Sequence, residues 1–150
     1  MRRAIELAFD GMRAGLGGPF GAVVVKAGEV VGSGQNRVTS LADPTAHAEI
    51  IAVRAACARL GTWSLAGCEI YASCEPCPMC LGAILWARLD RLWFAARRAD
   101  AAAAGFDDAR FHAELARPAL ERDLPSAELL RDEALAALRE WQRKDDRTTY

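Results

Sequence analysis

The sequence predicts an α/β fold whose sheet is parallel in part. Three observations lead there: an amphipathic helix opens the chain, a β-hairpin follows it, and helices then alternate with short strands, which requires crossover connections. At 150 residues, 52% of them hydrophobic, the chain has the length and apolar content of one domain. No internal repeat and no Pro/Gly/Ser linker divides it, so residues 1–150 read as a single domain.

Ala4, Ile5, Ala8, Phe9 and Met12 recur at helical spacing, so a helix is expected over residues 3–14, ending at Gly15 with its apolar stripe on a sheet. After the glycine-rich turn at 15–19, Phe20-Gly21-Ala22-Val23-Val24-Val25 reads as a buried strand. Lys26-Ala27-Gly28-Glu29 turns it back into Val30-Val31-Gly32-Ser33-Gly34. Asp43 or Thr45 can cap, and Pro44 can open, a helix expected from about Ala46 to Leu60. A strand at 69–73, a helix at about 78–87 and a strand at 91–95 follow. Beyond Arg97 the pattern loosens into a loop at 104–108, a helix over roughly 126–141 and a polar end expected to fray.

No stretch approaches the roughly 18 uninterrupted apolar residues of a membrane span. Glu6, Asp10 and Arg13 interrupt any signal-peptide core, so the cytoplasm is the expected compartment. A net charge of -1 gives no general attraction for polyphosphate and disfavours nucleic acid as a partner. The five cysteines are an odd number, and three of them fall at Cys74, Cys77 and Cys80, which reads as metal chemistry in a reducing compartment. Cys57 and Cys68 read as packing thiols, Trp141 as packing on the last helix, and His112 as part of a surface turn.

Two short motifs carry the chemistry. His47-Ala48-Glu49 opens one expected helix, and Pro76-Cys77-Pro78-Met79-Cys80 opens another, with a strand between them. H-x-E followed by P-C-x-x-C is the signature of zinc deaminases that act on nucleobases. Cys77 and Cys80 lie three residues apart across a helix start, so both sulfurs can turn to one point, where the positive helix end favours thiolate. His47 adds a nitrogen, and three protein ligands leave the fourth tetrahedral position to water. Glu49, two residues beyond His47, is the candidate general acid–base, taking a proton from that water and passing it to the ring nitrogen and the leaving amine. Two other readings share these residues. Cys74 could complete a closed Cys₃His structural zinc site. Cys74, Cys77 and Cys80 also resemble part of a ferredoxin cluster run, although Ala83 and Ile84 stand where a fourth cysteine would be, and neither reading uses Glu49.

The chain resembles the cytidine deaminase superfamily and, within it, the bacterial guanine deaminases. The resemblance lies in residues 17–23, 43–49, 73–84, Trp86-Ala87-Arg88 and Ala104-Gly105-Phe106-Asp107-Asp108. The central motif is shared with tRNA adenosine deaminases, whereas the 104–108 loop has the guanine-deaminase pattern. The resemblance implies a three-layer α/β/α sandwich around a mixed sheet, one zinc ion per chain and a purine base as substrate, with guanine converted to xanthine and ammonia. It also implies a homodimer in which the C-terminal segment, about 126–150, is exchanged between protomers. Asn36 and Asp108 would hydrogen-bond the purine, Phe20 and Trp86 would wall the pocket, and Tyr150 would close it. By residue type alone Asn36 could serve a turn, Asp107 and Asp108 could cap a helix, and Phe20 and Trp86 could be core. The tail Asp145-Asp146-Arg147-Thr148-Thr149 departs from the lysine-rich family ending. Another deaminase of the superfamily, acting on tRNA adenosine, cytosine or an amino-triazine, and a non-catalytic zinc domain are the alternatives.

Overall fold

The computed structural model describes residues 1–106 and 108–149. It forms two units, Met1–Asp108 and Ala109–Tyr150.

The first unit is an α/β sandwich. Helix α1 (Arg2–Arg13) leads into strands β1 (Gly21–Lys26) and β2 (Glu29–Gln35), a single helical turn α2 (Val38–Leu41), and helix α3 (Ala48–Leu60). Strand β3 (Cys68–Cys74), helix α4 (Pro78–Trp86), strand β4 (Arg91–Ala96) and short helix α5 (Arg98–Ala103) complete it. The sheet order is β2-β1-β3-β4, with β1 antiparallel to β2 and to β3, and β3 parallel to β4. The expected mixed sheet is therefore present, its parallel pair joined through α4.

Side-chain alternation along β1 builds the three layers, because successive residues of a strand face opposite sides. Ala22 and Val24 face α3 and α4, in a core with Val31, Ala52, Ala56, Ile70 and Ile84. Val23 faces the other side, against Ala4 and Leu7 of α1. The β1–β2 turn carries Ala27 at φ 48° and Gly28 at φ 84°. Two consecutive left-handed residues match the twist of a tight hairpin.

Glycine inside β2 is a poor strand former, and its presence there has a packing cause. A Cβ on Gly32 would lie 2.4 Å from the carbonyl oxygen of Ala52, and one on Gly34 would lie 2.2 Å from that of Ala48. The α3 backbone thus rests on β2, through a stripe of Ala48, Ala52 and Ala56 at four-residue spacing. Helix α3 begins at Ala48, two residues later than expected, because the Asp43 carboxylate accepts the Thr45 N–H (2.8 Å) and hydroxyl (2.7 Å) and closes a turn of its own instead of capping the helix.

The second unit holds α6 (Ala109–Ala116), a helical turn at Ala119–Glu121 and α7 (Arg131–Arg143). The helix expected from 126 starts five residues later, after Leu130 takes a left-handed conformation at φ 53°. No residue of α7 is buried, and Trp141, expected to pack, is exposed. His112 lies on α6 rather than in a turn, and the sequence reading passed over α2, α5 and α6. Among the described residues, no helix is long and apolar enough to cross a membrane.

Gly34→Ala forces its new methyl group into the α3 backbone. It is expected to lower unfolding stability by about 2 kcal/mol or more, read as a reduced midpoint in denaturant, while Gly28→Ala at the open hairpin tip serves as a control limited to backbone strain.

Candidate metal centre and active site

His47 and Cys77 occupy the same structural position on different helices. Each is the residue immediately before its helix, with extended backbone: φ -72°, ψ 153° for His47 before α3, and φ -65°, ψ 167° for Cys77 before α4. A residue in that position swings its side chain across the mouth of the helix, where the first N–H groups have no intrahelical partner. Pro78 suits the next position because it has no N–H to leave unpaired. Cys80 is the third residue of α4, and Glu49 is the second residue of α3.

The two helix mouths meet. His47 Nδ1 lies 3.6 Å from Cys77 Sγ and 3.5 Å from Cys80 Sγ, and the three ligand atoms all lie within 4.8 Å of one another. Zinc bonds of about 2.3 Å to sulfur and about 2.0–2.1 Å to nitrogen at tetrahedral angles put ligand atoms about 3.5 Å apart. The residues present therefore fit a zinc ion with Nδ1 as the ligating nitrogen. Among the described residues, Cys74 is not in this group. Its thiol points to the carbonyl oxygen of Arg97 at 3.8 Å, and burial raises its pKa.

Charge is unevenly shared between the two ligand thiols. Cys77 is held down at about 4, chiefly by a hydrogen bond from Cys80 and also by His47, whereas Cys80 is pushed far up, first by that bond to Cys77 and then by burial. Two adjacent thiolates without a cation repel, so one keeps its proton. The hydrogen bond to Cys77 raises the His47 pKa. Glu49 is buried, with Oε2 3.4 Å from Cys80 Sγ, and burial raises its pKa. A buried carboxyl whose protonated form is favoured in this way suits proton transfer.

Two of the residues expected to meet the substrate, Asn36 and Phe20, are joined to each other, the Asn36 N–H donating to the carbonyl oxygen of Phe20 at 2.9 Å. Asn36 is buried, and its Oδ1 accepts the N–H groups of Gly18 (3.1 Å) and Val38 (3.3 Å), so its Nδ2 remains to donate. The chain here is fixed to the metal-bearing segment, since Arg37 N–H donates to the carbonyl oxygen of Ala46, next to His47, at 2.9 Å. Gly17 must be glycine for this cradle, because a Cβ would lie 2.4 Å from Asn36 Oδ1. Phe20 is half-buried and meets Phe106 edge-on, ring centroids 4.9 Å apart. Phe106 carried no individual role in the sequence reading. Its signal was an aromatic residue within the resembling loop. Asp108 is half-buried just beyond it. Trp86 closes the far end of α4, about 9 Å along the axis from Cys80, with the Arg88 guanidinium over its indole. Asp107 and Tyr150 lie outside the described residues.

Residues 1–96 match the model of the cytidine and deoxycytidylate deaminase zinc-binding region, and the chain belongs to that family. Within it, the chain is 49% identical to a guanine deaminase of Bacillus subtilis (strain 168) over all 150 residues, covering 96% of that protein. An X-ray structure of guanine deaminase from Bacillus subtilis matches with a TM-score of 0.96 at 49% identity, over 99% of this chain and 95% of that one. A guanine deaminase from Nitrosomonas europaea matches with a TM-score of 0.67 at 34% identity, over 95% and 82% of the two chains. The likeness to a tRNA-specific adenosine deaminase of Aquifex aeolicus, 47% identical, spans 78 residues, 52% of each chain.

Metal content per chain, measured after dialysis, tests the ligand set. His47→Ala, Cys77→Ser and Cys80→Ser are each expected to lose zinc, whereas Cys74→Ser keeps it; loss of zinc from Cys74→Ser would restore the four-ligand structural site.

Proposed function

We propose that the protein is a guanine deaminase that converts guanine and water to xanthine and ammonia, using one zinc ion per chain held by His47, Cys77 and Cys80. The observation that carries the chemistry is the three-ligand cluster with the buried Glu49 carboxyl against Cys80. A closed structural site has four protein ligands and no use for that carboxyl. Guanine is favoured over adenosine because the likeness to guanine deaminase runs the whole length of the chain, whereas the likeness to the tRNA adenosine deaminase covers about half.

When bound, zinc supplies the Lewis acidity that brings the pKa of water to about 7. Glu49 accepts one proton from the attacking water and passes it to the ring nitrogen beside C2, then carries the second, from the new C2 hydroxyl, to the amine that leaves as ammonia. Asn36, its carbonyl oxygen already taken by two backbone amides, presents N–H donors to the guanine carbonyl oxygen. The Asp108 carboxylate accepts from ring N–H and exocyclic NH₂ donors, and Phe20 and Trp86 flank the base. A site built from such bonds discriminates strongly against bases that lack the matching groups.

A homodimer accords with this reading, with residues from about 126 to 150 exchanged so that Tyr150 closes the partner's pocket. In support, α7 exposes Leu138 and Trp141 on one side, and the first unit exposes Trp93, Phe94 and Leu85, apolar side chains of the kind that protein interfaces cover. The cytoplasm is the proposed compartment.

Zinc-loaded protein is expected to release ammonia from guanine and not from adenosine in tRNA; inosine in tRNA without xanthine from guanine overturns the substrate. Glu49→Gln should lose kcat by roughly 10²- to 10⁴-fold while retaining zinc. Because Glu49 must be ionised to accept the proton and burial raises its pKa, kcat/KM should fall as the pH drops through a value above the ordinary glutamate range. Sedimentation should give twice the chain mass, and Trp141→Glu should shift it toward monomer with loss of turnover.

A further inference from the structure

Cys74, Glu75 and Pro76 form the short link from β3 to the metal-holding turn, and this link is tied to the start of α5. Glu75 N–H donates to the carbonyl oxygen of Ala96 at 2.9 Å, and Glu75 Oε2 accepts the N–H of Arg98 at 3.0 Å. Arg98 is the first residue of α5, and its amide is one of those a helix leaves without an internal partner. The neighbouring Arg97 N–H donates within the helix, to Asp100 Oδ2 at 2.7 Å. The base of α5 is thus held from outside by the Glu75 side chain.

At its other end α5 finishes through Gly105 at φ 90°, with the Phe106 N–H donating to the carbonyl oxygen of Ala101 at 2.9 Å. Phe106 then meets Phe20 and lies against Gly18, where an added Cβ would come within 3.2 Å of the Phe106 ring. Gly18 in turn donates to Asn36 Oδ1. Helix α5 is therefore a strut of about 9 Å, with one end on the metal-holding turn and the other on the aromatic and amide wall.

We propose that Glu75 is a positioning residue for substrate binding: by accepting the Arg98 N–H, its carboxylate sets where α5 delivers Phe106 and Asp108 relative to the Cys77–Cys80 turn. The inference rests on the purine-deaminase reading of that site. Glu75 touches neither the ligand cluster nor Glu49, so its removal acts on affinity for the base and leaves the metal and the proton transfer in place.

The test uses the full chain loaded with zinc. Glu75→Ala is expected to raise KM for guanine by roughly three- to tenfold, the loss of one hydrogen bond to a charged acceptor discounted for its half-exposed position. Turnover at saturation should stay within about twofold, and zinc content should not change. Hydrogen exchange at the Arg98 and Phe106 amides should quicken. Glu75→Gln keeps an accepting oxygen at the same reach and should behave as wild type, whereas Glu75→Asp, one methylene shorter, should behave as Glu75→Ala. An unchanged KM in Glu75→Ala overturns the proposal, as does a matching loss of kcat and zinc, or a Gln variant no better than Ala. The exchange measurement needs no substrate: a failed latch shows as unchanged exchange in Glu75→Ala, and a failed guanine reading shows as wild-type protein that leaves guanine intact.

Discussion

The seating of α3 on β2 is the contact from which the rest of the site is built. Gly32 and Gly34 remove the side chains that would hold the two backbones apart, and Ala48, Ala52 and Ala56 offer a stripe of single methyl groups. With so little side chain between them, the helix has almost no freedom to slide or roll, since the contact is set by backbone rather than by rotamers. That fixes the mouth of α3, and with it His47 and Glu49. The same closeness carries a cost in strand propensity that β2 bears because β1 and α3 cover it on two sides.

Two helix mouths facing one point produce the electrostatics that the chemistry needs. Each mouth carries partial positive charge from N–H groups without helical partners, and each places one ligand in the position where that charge is felt most. Even so, the pair cannot both be thiolates unaided: Cys77 ionises easily and Cys80 resists. The second negative charge, and the nearby Glu49 carboxylate, call for a cation at the centre of the three ligand atoms. The preference for a metal is thus built into the placement of four side chains, before any metal is considered.

The alternating elements, the parallel pair and the convergence of His47, Cys77 and Cys80 were legible because each follows from local spacing. Residues three apart at a helix start must share a side, and apolar residues alternating in β1 must face two layers. The start of α3 was misplaced by two residues because Asp43, a good helix cap by type, spends its carboxylate on Thr45. No periodicity marks α5, six residues of mostly alanine whose ends are fixed by Glu75 and Phe106, partners distant in sequence. The late start of α7 turns on the backbone of Leu130, a residue whose type does not announce a left-handed conformation.

That division between local and distant determinants runs along the boundary between reaction and specificity. The ligands and Glu49 come from two helix starts, so their geometry follows wherever those two motifs are seated on a sheet of this kind. The residues proposed for the substrate side come instead from pieces far apart in the chain: Gly18 and Phe20 before β1, Asn36 after β2, Phe106 and Asp108 after α5. Their mutual placement depends on single bonds, such as Gly18 N–H to Asn36 Oδ1, and on one aromatic contact. Of these pieces, Asn36 is tied through the Arg37 N–H to Ala46 beside His47, whereas Phe106 reaches the site through its contact with Phe20. A fold arranged this way can hold its hydrolytic chemistry constant while the base it accepts changes, which accounts for a match to adenosine deaminases confined to about half the chain and a match to guanine deaminases that extends over all of it.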